Sequence, residues 1–203
     1  MSIQEVLIEP SAQTTEPAWD IARLFPDQGA WSEADYLALD TNHLVEYSHG
    51  IVEVLSMPSD KHQSILGYLY TIFLAFAVET GGKVLFSPLR LRLWPGKIRE
   101  PDLIFLASAT DPRRQDQGWT GADLVVEVVS PDDPDRDLVT KRREYAQAAI
   151  PEYWIVDPRT DTILVLHLTG TAYAERRYTR GDVALSVAFP KLVVDVSATL
   201  DAV

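Results

Sequence analysis

Two carboxylates and one lysine in the middle of this chain of 203 residues have types and spacing that could do chemistry. Glu127 lies inside the apolar segment 124–129, which is typical of a buried strand. A carboxylate there is costly unless it is paired, neutralised or bound to a cation. Asp102 stands at the entrance of a second apolar segment, 103–106, and Lys141 follows Glu127 in a predicted helix.

The spacing of Lys141 directs it towards the sheet. The predicted helix covers about 137–149, and Leu138 and Tyr145 belong to its apolar stripe. Lys141 comes three residues after Leu138 and four before Tyr145, so it falls on the same stripe. The sequence therefore predicts that Lys141 and Glu127 meet above the sheet.

These three residues together indicate phosphodiester hydrolysis. Asp102 and Glu127, on neighbouring strands, could bind one divalent cation, because hard cations prefer carboxylate oxygens. Lys141 could then orient a water molecule or offset charge on a phosphate. Two carboxylates, a metal ion and a lysine are the parts needed for metal-assisted hydrolysis. The spacing is equally compatible with a structural Glu–Lys pair and with an aspartate that only forms a turn.

The elements that must position these residues are predicted from periodicity and turn signals. We expect an extended or partly disordered arm over 1–30 and a single domain over 31–203. The predicted elements of that domain are a short helix at 33–40, a hairpin of 43–48 with 51–56, a helix over 61–80, strands at 83–94, 103–106 and 122–129, a helix at 137–149, a strand at 153–157, and three or four strands within 162–196. Strands with few helices and one strand–helix–strand unit at 122–157 indicate an α/β or α+β domain around a mixed sheet.

Several segments taken together resemble the Uma family of restriction-endonuclease-like proteins, which belongs to the PD-(D/E)xK nuclease superfamily. The resemblance runs from about residue 32 to 196 and is carried by Pro101-Asp102, Glu127-Val128-Val129-Ser130-Pro131, Asp137 to Lys141, and Pro151-Glu152-Tyr153-Trp154-Ile155-Val156-Asp157, with Glu46, Gly50 and Pro58 to Gln63 upstream. One position departs from the superfamily motif. The lysine expected two residues after the glutamate is Val129 here, and the resemblance implies that Lys141 replaces it.

The resemblance implies a restriction-endonuclease-like mixed β-sheet core flanked by helices, with an added N-terminal hairpin and C-terminal strands. It implies a metal-dependent DNA endonuclease in which Asp102 and Glu127 bind Mg²⁺ or Mn²⁺. Lys141 would stabilise charge or orient water, and Glu46 would be an accessory acid. A homodimer would suit an enzyme that cuts two strands. The alternative is a non-catalytic nuclease-fold module for binding or assembly, with Glu127 and Lys141 as an internal salt bridge.

Three further residues are weaker candidates. Glu46 and Glu53 occupy positions of opposite parity on the predicted hairpin, so we expect only one of them, Glu46, to face the site. His62, at the start of a helix, could touch substrate or metal, although a capping or surface role fits better.

Arginines on the predicted strand 83–94 form a candidate substrate-binding surface. Arg90 and Arg92 share one strand face and, with Lys97 and Arg99, make a basic patch where a DNA backbone could lie. A solvated strand face would have the same pattern.

Composition limits the other function classes. The net charge of −12 argues against broad nonspecific nucleic-acid binding, and eleven acidic residues but only one basic residue lie in 1–60. The absence of cysteine excludes disulfides and thiolate metal sites and suits a cytoplasmic protein. We also expect no signal peptide and no membrane partner, because the longest apolar stretch, 66–78, is short for a bilayer.

Overall fold

The structure, a computed structural model, describes residues 26–39, 41 and 43–203. The predicted arm therefore lies outside the described residues except for 26–30. That short stretch lies beside the first hairpin. The Gln28 side chain donates to Val52 O at 2.8 Å and accepts from Val52 N–H at 2.9 Å, and Gly29 N–H donates to Gly50 O at 2.7 Å.

A six-stranded mixed sheet forms the centre of the fold. Its strands, in spatial order, are β10 (Ala172–Thr179), β9 (Thr162–Thr169), β8 (Glu152–Asp157), β7 (Leu124–Val128), β6 (Leu103–Leu106) and β3 (Lys83–Phe86). Strands β7 and β8 pair in parallel, and the other pairs are antiparallel. The predicted strand–helix–strand unit and the mixed sheet are thus confirmed.

Helix α2 (Asp60–Thr80) covers one face of this sheet. Ser59 caps its first turn, and Gly81 ends it in the left-handed conformation, where a residue without Cβ avoids strain. Ile65, Leu69 and Phe73 are fully buried against the sheet. Because β7 and β8 are covered on both faces, their sequences are almost continuously apolar.

By length and composition alone, α2 could also cross a membrane. A core helix in a soluble fold meets the same criterion, and a third of the apolar window is buried here. The single candidate among the described residues is weak evidence for a membrane span.

A second sheet of four strands carries the first hairpin. Its order is β2 (Ile51–Val54), β1 (Val45–Ser48), β5 (Lys97–Arg99) and β4 (Leu91–Trp94). The predicted hairpin is confirmed, with a two-residue turn at 49–50. Helix α1 (Glu33–Leu37) packs against this sheet and begins with a capping box of Ser32 and Asp35.

The predicted single strand over 83–94 is wrong. The chain leaves the central sheet after β3 and enters the four-stranded sheet at β4, with Ser87 and Pro88 between them. Proline has no N–H for a strand ladder, and Ser87 N–H instead donates to Asp102 O at 3.1 Å. The alternation of apolar and polar residues continues through the break, so the pattern hides the change of sheet.

The predicted helix over 137–149 differs in type. Residues Arg136–Lys141 form a π-helical turn, and α3 (Arg142–Gln147) continues from it. In the tail, β11 (Val183–Leu185) and β12 (Val193–Asp195) form a separate two-stranded sheet. They complete the predicted count of three or four strands, and the terminal helix α4 (Val196–Leu200) was not predicted.

Candidate functional site

Asp102 and Glu127 meet because β6 and β7 are antiparallel neighbours. The register pairs Leu103 with Val126, and its continuation by one residue places Asp102 opposite Glu127. Asp102 N–H donates to Glu127 Oε2 at 3.3 Å, and Val128 N–H donates to Asp102 Oδ2 at 2.7 Å. Their side chains therefore share one side of the sheet, as the sequence predicted.

Glu127 is buried and held by two side chains. The Tyr145 hydroxyl donates to Oε1 at 2.6 Å, and Lys141 Nζ lies 2.9 Å from the same oxygen. The pKa of Glu127 is raised to about 8, chiefly by burial; Lys141 opposes the rise, and the negative charges of Asp102 and Asp137 add to it. One lysine therefore does not compensate for the burial of this carboxylate.

Lys141 lies among three carboxylates, and its side chain is only 5% exposed. Its Nζ is 2.9 Å from Glu127 Oε1, 3.0 Å from Asp137 Oδ1 and 3.9 Å from Glu46 Oε1. Burial alone would lower the pKa of Lys141, but the carboxylates outweigh it and raise the pKa above its ordinary value. Lys141 is thus a buried, permanently charged ammonium.

Asp137 is a member of the cluster to which sequence reasoning gave no role. It is buried on the π-helical turn, four residues before Lys141. Burial is the main reason why its pKa is raised. Although Oδ1 lies close to Lys141, it has no hydrogen bond of normal geometry within the described part of the chain. The i, i+4 spacing of an acid and a lysine was the signal that could have found it.

Glu46 lies behind this cluster and does not line the cleft described below. Its Oε2 contacts Arg136 and lies 2.6 Å from Arg99 Nη1, and its Oε1 accepts from Glu100 N–H at 3.1 Å. Burial would raise the pKa of Glu46, but Lys141 and the two arginines lower it to about 2. Glu46 is therefore a buried anion, and its role as accessory acid stays a prediction.

The expectation that only one of Glu46 and Glu53 faces the site is wrong. The two residues are register partners across the hairpin, and both contact Arg99 and Arg136. Residues directly opposite each other in an antiparallel pair share a face, whatever the parity of their numbers.

Two members of the predicted basic patch are not on the surface. Arg99 is buried and forms two hydrogen bonds with Glu144, at 2.7 and 2.9 Å, while Lys97 Nζ lies 2.6 Å from the same carboxylate. The prediction of a solvent-facing patch is wrong for Lys97 and Arg99. Their charges instead tie β5 to α3.

Arg90 and Arg92 lie outside the cleft lining. Arg90 donates to Leu37 O at 3.0 Å and to Leu39 O at 3.2 Å, and Arg92 pairs with Glu33. Both guanidinium groups hold the segment around α1, and their assignment to substrate binding stays a prediction.

His62 is close to the predicted metal ligands. Its Nε2 lies 3.1 Å from Asp102 Oδ2, and its backbone N–H donates to Ser59 Oγ at 3.2 Å. Burial acts to lower the pKa of His62, but the bond to Asp102 and nearby carboxylates raise it. The residue thus occupies a capping position on the helix while its side chain reaches the site.

An open cleft of about 650 Å³ lies at the carboxyl ends of β7 and β8. Its charged lining side chains are Lys61, Glu100, Asp102, Glu127, Asp132, Asp133, Arg136, Asp137, Lys141 and Arg159. The floor is acidic, and the arginines stand beside it.

The donor chemistry of the floor fits a hard divalent cation. Glu127 and Asp137 share the ammonium of Lys141, Asp102 stands opposite Glu127, and Asp137 Oδ1 is buried without a hydrogen bond among the described residues. Carboxylate oxygens are the ligands that Mg²⁺ prefers. Among the residues that the structure describes, no three His, Asp or Glu side chains stand in a ready-made metal-binding arrangement. Asp102 and Glu127, which face each other across the strands, are the pair that fits best.

The fold and cleft define an α+β domain of nuclease type, in which acidic residues and a lysine meet at the ends of the central strands. The chain belongs to the Uma2 family, described as "Putative restriction endonuclease", whose sequence model matches residues 33–197. The predicted resemblance is therefore confirmed.

A solved structure has the same fold. It is the crystal structure of "a putative nuclease belonging to DUF820" from Anabaena variabilis, with 18% sequence identity and a TM-score of 0.68. The match covers 84% of this chain and 99% of that one. At this identity the similarity concerns the fold alone. No curated protein matches the chain.

Proposed function

We propose that the protein is a divalent-metal-dependent endonuclease that hydrolyses phosphodiester bonds of DNA. The observation that carries the proposal is the meeting of Asp102, Glu127 and Lys141 at the floor of one open cleft. Membership of a family described as restriction endonucleases supports the same reaction class.

Asp102 and Glu127 would hold Mg²⁺ or Mn²⁺. When bound, the ion polarises a phosphoryl oxygen and acidifies water. Within the described part of the chain, Asp102 Oδ1 has no hydrogen bond, while Oδ2 is fixed by Val128 N–H and His62. Tyr145 holds Glu127 through Oε1. These bonds preorganise both carboxylates towards the cleft.

Lys141 supplies positive charge at the same place. Its ammonium is held in a water-poor pocket by Glu127 and Asp137, so that its orientation is set before substrate arrives. Fixed charge in such surroundings stabilises a developing negative charge more strongly than solvated charge does. We assign Lys141 to the phosphoryl oxygens and the attacking water.

A homodimer is part of the proposal, because cleavage of both strands requires two such sites. Sedimentation of the protein with and without DNA tests the number of chains. A monomer in both conditions would limit the activity to nicking.

A non-catalytic module is the second candidate, and the burial of Lys141 favours it. An ammonium that is 5% exposed and already paired with two carboxylates can be a structural ion pair alone. In that case the fold would bind or assemble without cleaving, and Asp102 would have no part in metal binding.

Cleavage of supercoiled plasmid with Mg²⁺ or Mn²⁺ tests the proposal. Asp102→Ala and Glu127→Gln should abolish nicking while circular dichroism stays native. Glu175→Gln is the matched control, because Glu175 forms a surface pair with Arg142. Nicking that survives in both site variants would reject the assignment.

Calorimetric titration with Mn²⁺ separates the two candidates if wild-type protein does not nick plasmid. Binding that requires Asp102 would support a metal centre with a strict sequence requirement. Absence of binding would make the non-catalytic module the correct description.

A further inference from the structure

We propose that Arg136 binds a DNA phosphate next to the scissile one, and that Glu53 occupies the place of this phosphate in the free protein. The inference rests on the proposed nuclease function and adds to it a residue that holds the substrate backbone. Neither the resemblance nor the spacing of residues assigned a role to Arg136.

Arg136 stands at the correct place for such a contact. It is the first residue of the π-helical turn, immediately before Asp137 and five residues before Lys141. Its side chain is 21% exposed and lines the cleft together with Asp102 and Lys141. The inference places the scissile phosphate over Asp102 and the neighbouring phosphate beside this guanidinium.

The present partners of Arg136 leave it available. Arg136 contacts the buried Glu46, but Arg99 Nη1 also pairs with Glu46 at 2.6 Å, and Glu100 N–H donates to Glu46 Oε1 at 3.1 Å. The other partner is Glu53, which is 41% exposed and accepts from Arg136 Nη2 at 2.9 Å. Glu46 therefore keeps a buried cation if Arg136 changes its acceptor from Glu53 to another anion.

One donor of Arg136 is unused. Its Nε is buried, and no acceptor for it lies among the described residues. The guanidinium fork matches two oxygens of one phosphate, which lysine cannot do. A phosphate in place of Glu53 would offer more acceptor oxygens at the same position, and exposed ion pairs like that with Glu53 contribute little to stability.

The other cations that line the cleft have acceptors of a different kind. Arg159 makes two hydrogen bonds to the buried carboxylate of Asp157, at 2.9 and 2.8 Å. Lys61 Nζ donates to Ala202 O at 2.9 Å. Of the described arginines and lysines in the cleft, Arg136 is the one that has an exposed carboxylate, Glu53, among its acceptors.

Binding of a fluorescein-labelled DNA duplex, with Ca²⁺ so that affinity is measured without cleavage, tests the inference. Arg136→Gln should weaken binding. It should also make the fall of log K, the association constant, with log salt less steep by about 0.9, which corresponds to the loss of one phosphate contact. Glu53→Gln should tighten binding in wild type and have no effect in the Arg136→Gln background, because the two residues act through one contact.

Two further variants separate a lost contact from a damaged fold. Arg142→Gln is the matched control, since Arg142 pairs with Glu175 on the surface, and its salt slope should equal that of wild type. Arg136→Lys should keep the slope but bind more weakly, because the charge remains and the fork is lost. Thermal melts establish that each variant is folded.

The outcomes distinguish this inference from the proposed function. If wild-type protein binds the duplex and folded Arg136→Gln has the same salt slope as wild type, the inference is overturned and the nuclease proposal still stands. No duplex binding by wild-type protein would overturn both.

Discussion

At the residue scale, the two buried acids Glu127 and Glu46 lie in opposite electrostatic surroundings. Glu127 shares one ammonium with two other carboxylates, and burial raises its pKa to about 8. Burial would also raise the pKa of Glu46, but Lys141 and two arginines lower it to about 2. The first environment would gain from a divalent cation, whereas the second is already neutralised.

The raised pKa of Glu127 makes stability depend on pH. Between its ordinary value of 4.5 and about 8, the folded state keeps a proton that the unfolded state releases, so stability falls as pH rises through this window. Glu127→Gln removes that loss, so the melting temperature of the variant minus that of wild type should increase from pH 5 to pH 8. Melts in buffers without divalent ions measure the difference. A constant difference across this range would contradict the assigned environment.

Replacement of Lys141 by Met removes charge and keeps length. We expect plasmid nicking to fall by about 10²-fold or more, since preorganised charge of this kind contributes at that level. The fold should persist, because Glu127 can take up a proton once its cation is lost. Nicking assays and circular dichroism of the same preparation provide the test. Loss of native structure at assay temperature would instead favour the structural ion pair.

At the element scale, the π-helical turn decides where the functional side chains point. Asp137 and Lys141, four residues apart on this turn, both lie near Glu127, while Tyr145, on α3, also reaches that carboxylate. Such turns occur frequently at functional sites. The loop of 129–135, this turn and α3 together form the crossover between the parallel strands β7 and β8.

Deletion of Val139 should convert the π-helical turn into an ordinary helix. Asp137 and Lys141 would then be three residues apart, about 60° from each other around the helix axis at about 100° per residue, so their distances to Glu127 would change. We expect loss of nicking in a protein that keeps its helical circular dichroism. Val139 is 56% exposed, so Val139→Ala is a matched control that should change stability by less than about 0.5 kcal/mol. Full activity of the deletion variant would show that the turn does not position the site.

At the scale of the whole molecule, buried ion pairs connect the four-stranded sheet to α3, whose Tyr145 packs in the core against the central sheet. Arg99 on β5 contacts Glu46 on β1 and Glu144 on α3, and Lys97 contacts Glu144 as well. Helix α3 follows the turn that carries Lys141, so the four-stranded sheet supports the site from behind. The net charge of −12 is thus compatible with a few cations at defined places, although it opposes nonspecific DNA binding.

Arg99→Met should test this connection. Removal of one partner leaves Glu46 and Glu144 buried with fewer cations, which typically costs about 3–5 kcal/mol. Urea unfolding measures the loss, and Arg142→Met, at an exposed pair, should cost no more than about 1 kcal/mol. Equal effects of the two substitutions would mean that the buried network does not stabilise the protein.

The sequence by itself determined the local features and the neighbours along the sheet. Capping residues, the two-residue hairpin turn and the apolar runs of β6 to β8 are read from short segments, because they depend on adjacent residues. The apolar stripe placed Lys141 over Glu127 for the same reason. Asp102 precedes one apolar segment and Glu127 lies within another, and these segments form the neighbouring strands that bring the two carboxylates together.

Only the tertiary structure decided which charged residues are buried and with whom they pair. Arg99 reads as a surface cation in its own segment, and its partners Glu46 and Glu144 are more than forty residues away. The change of sheet at Pro88 likewise depends on which strands stand beside β3 and β4. A charge finds its partner through the packing of distant elements, and no local period in the sequence encodes that contact.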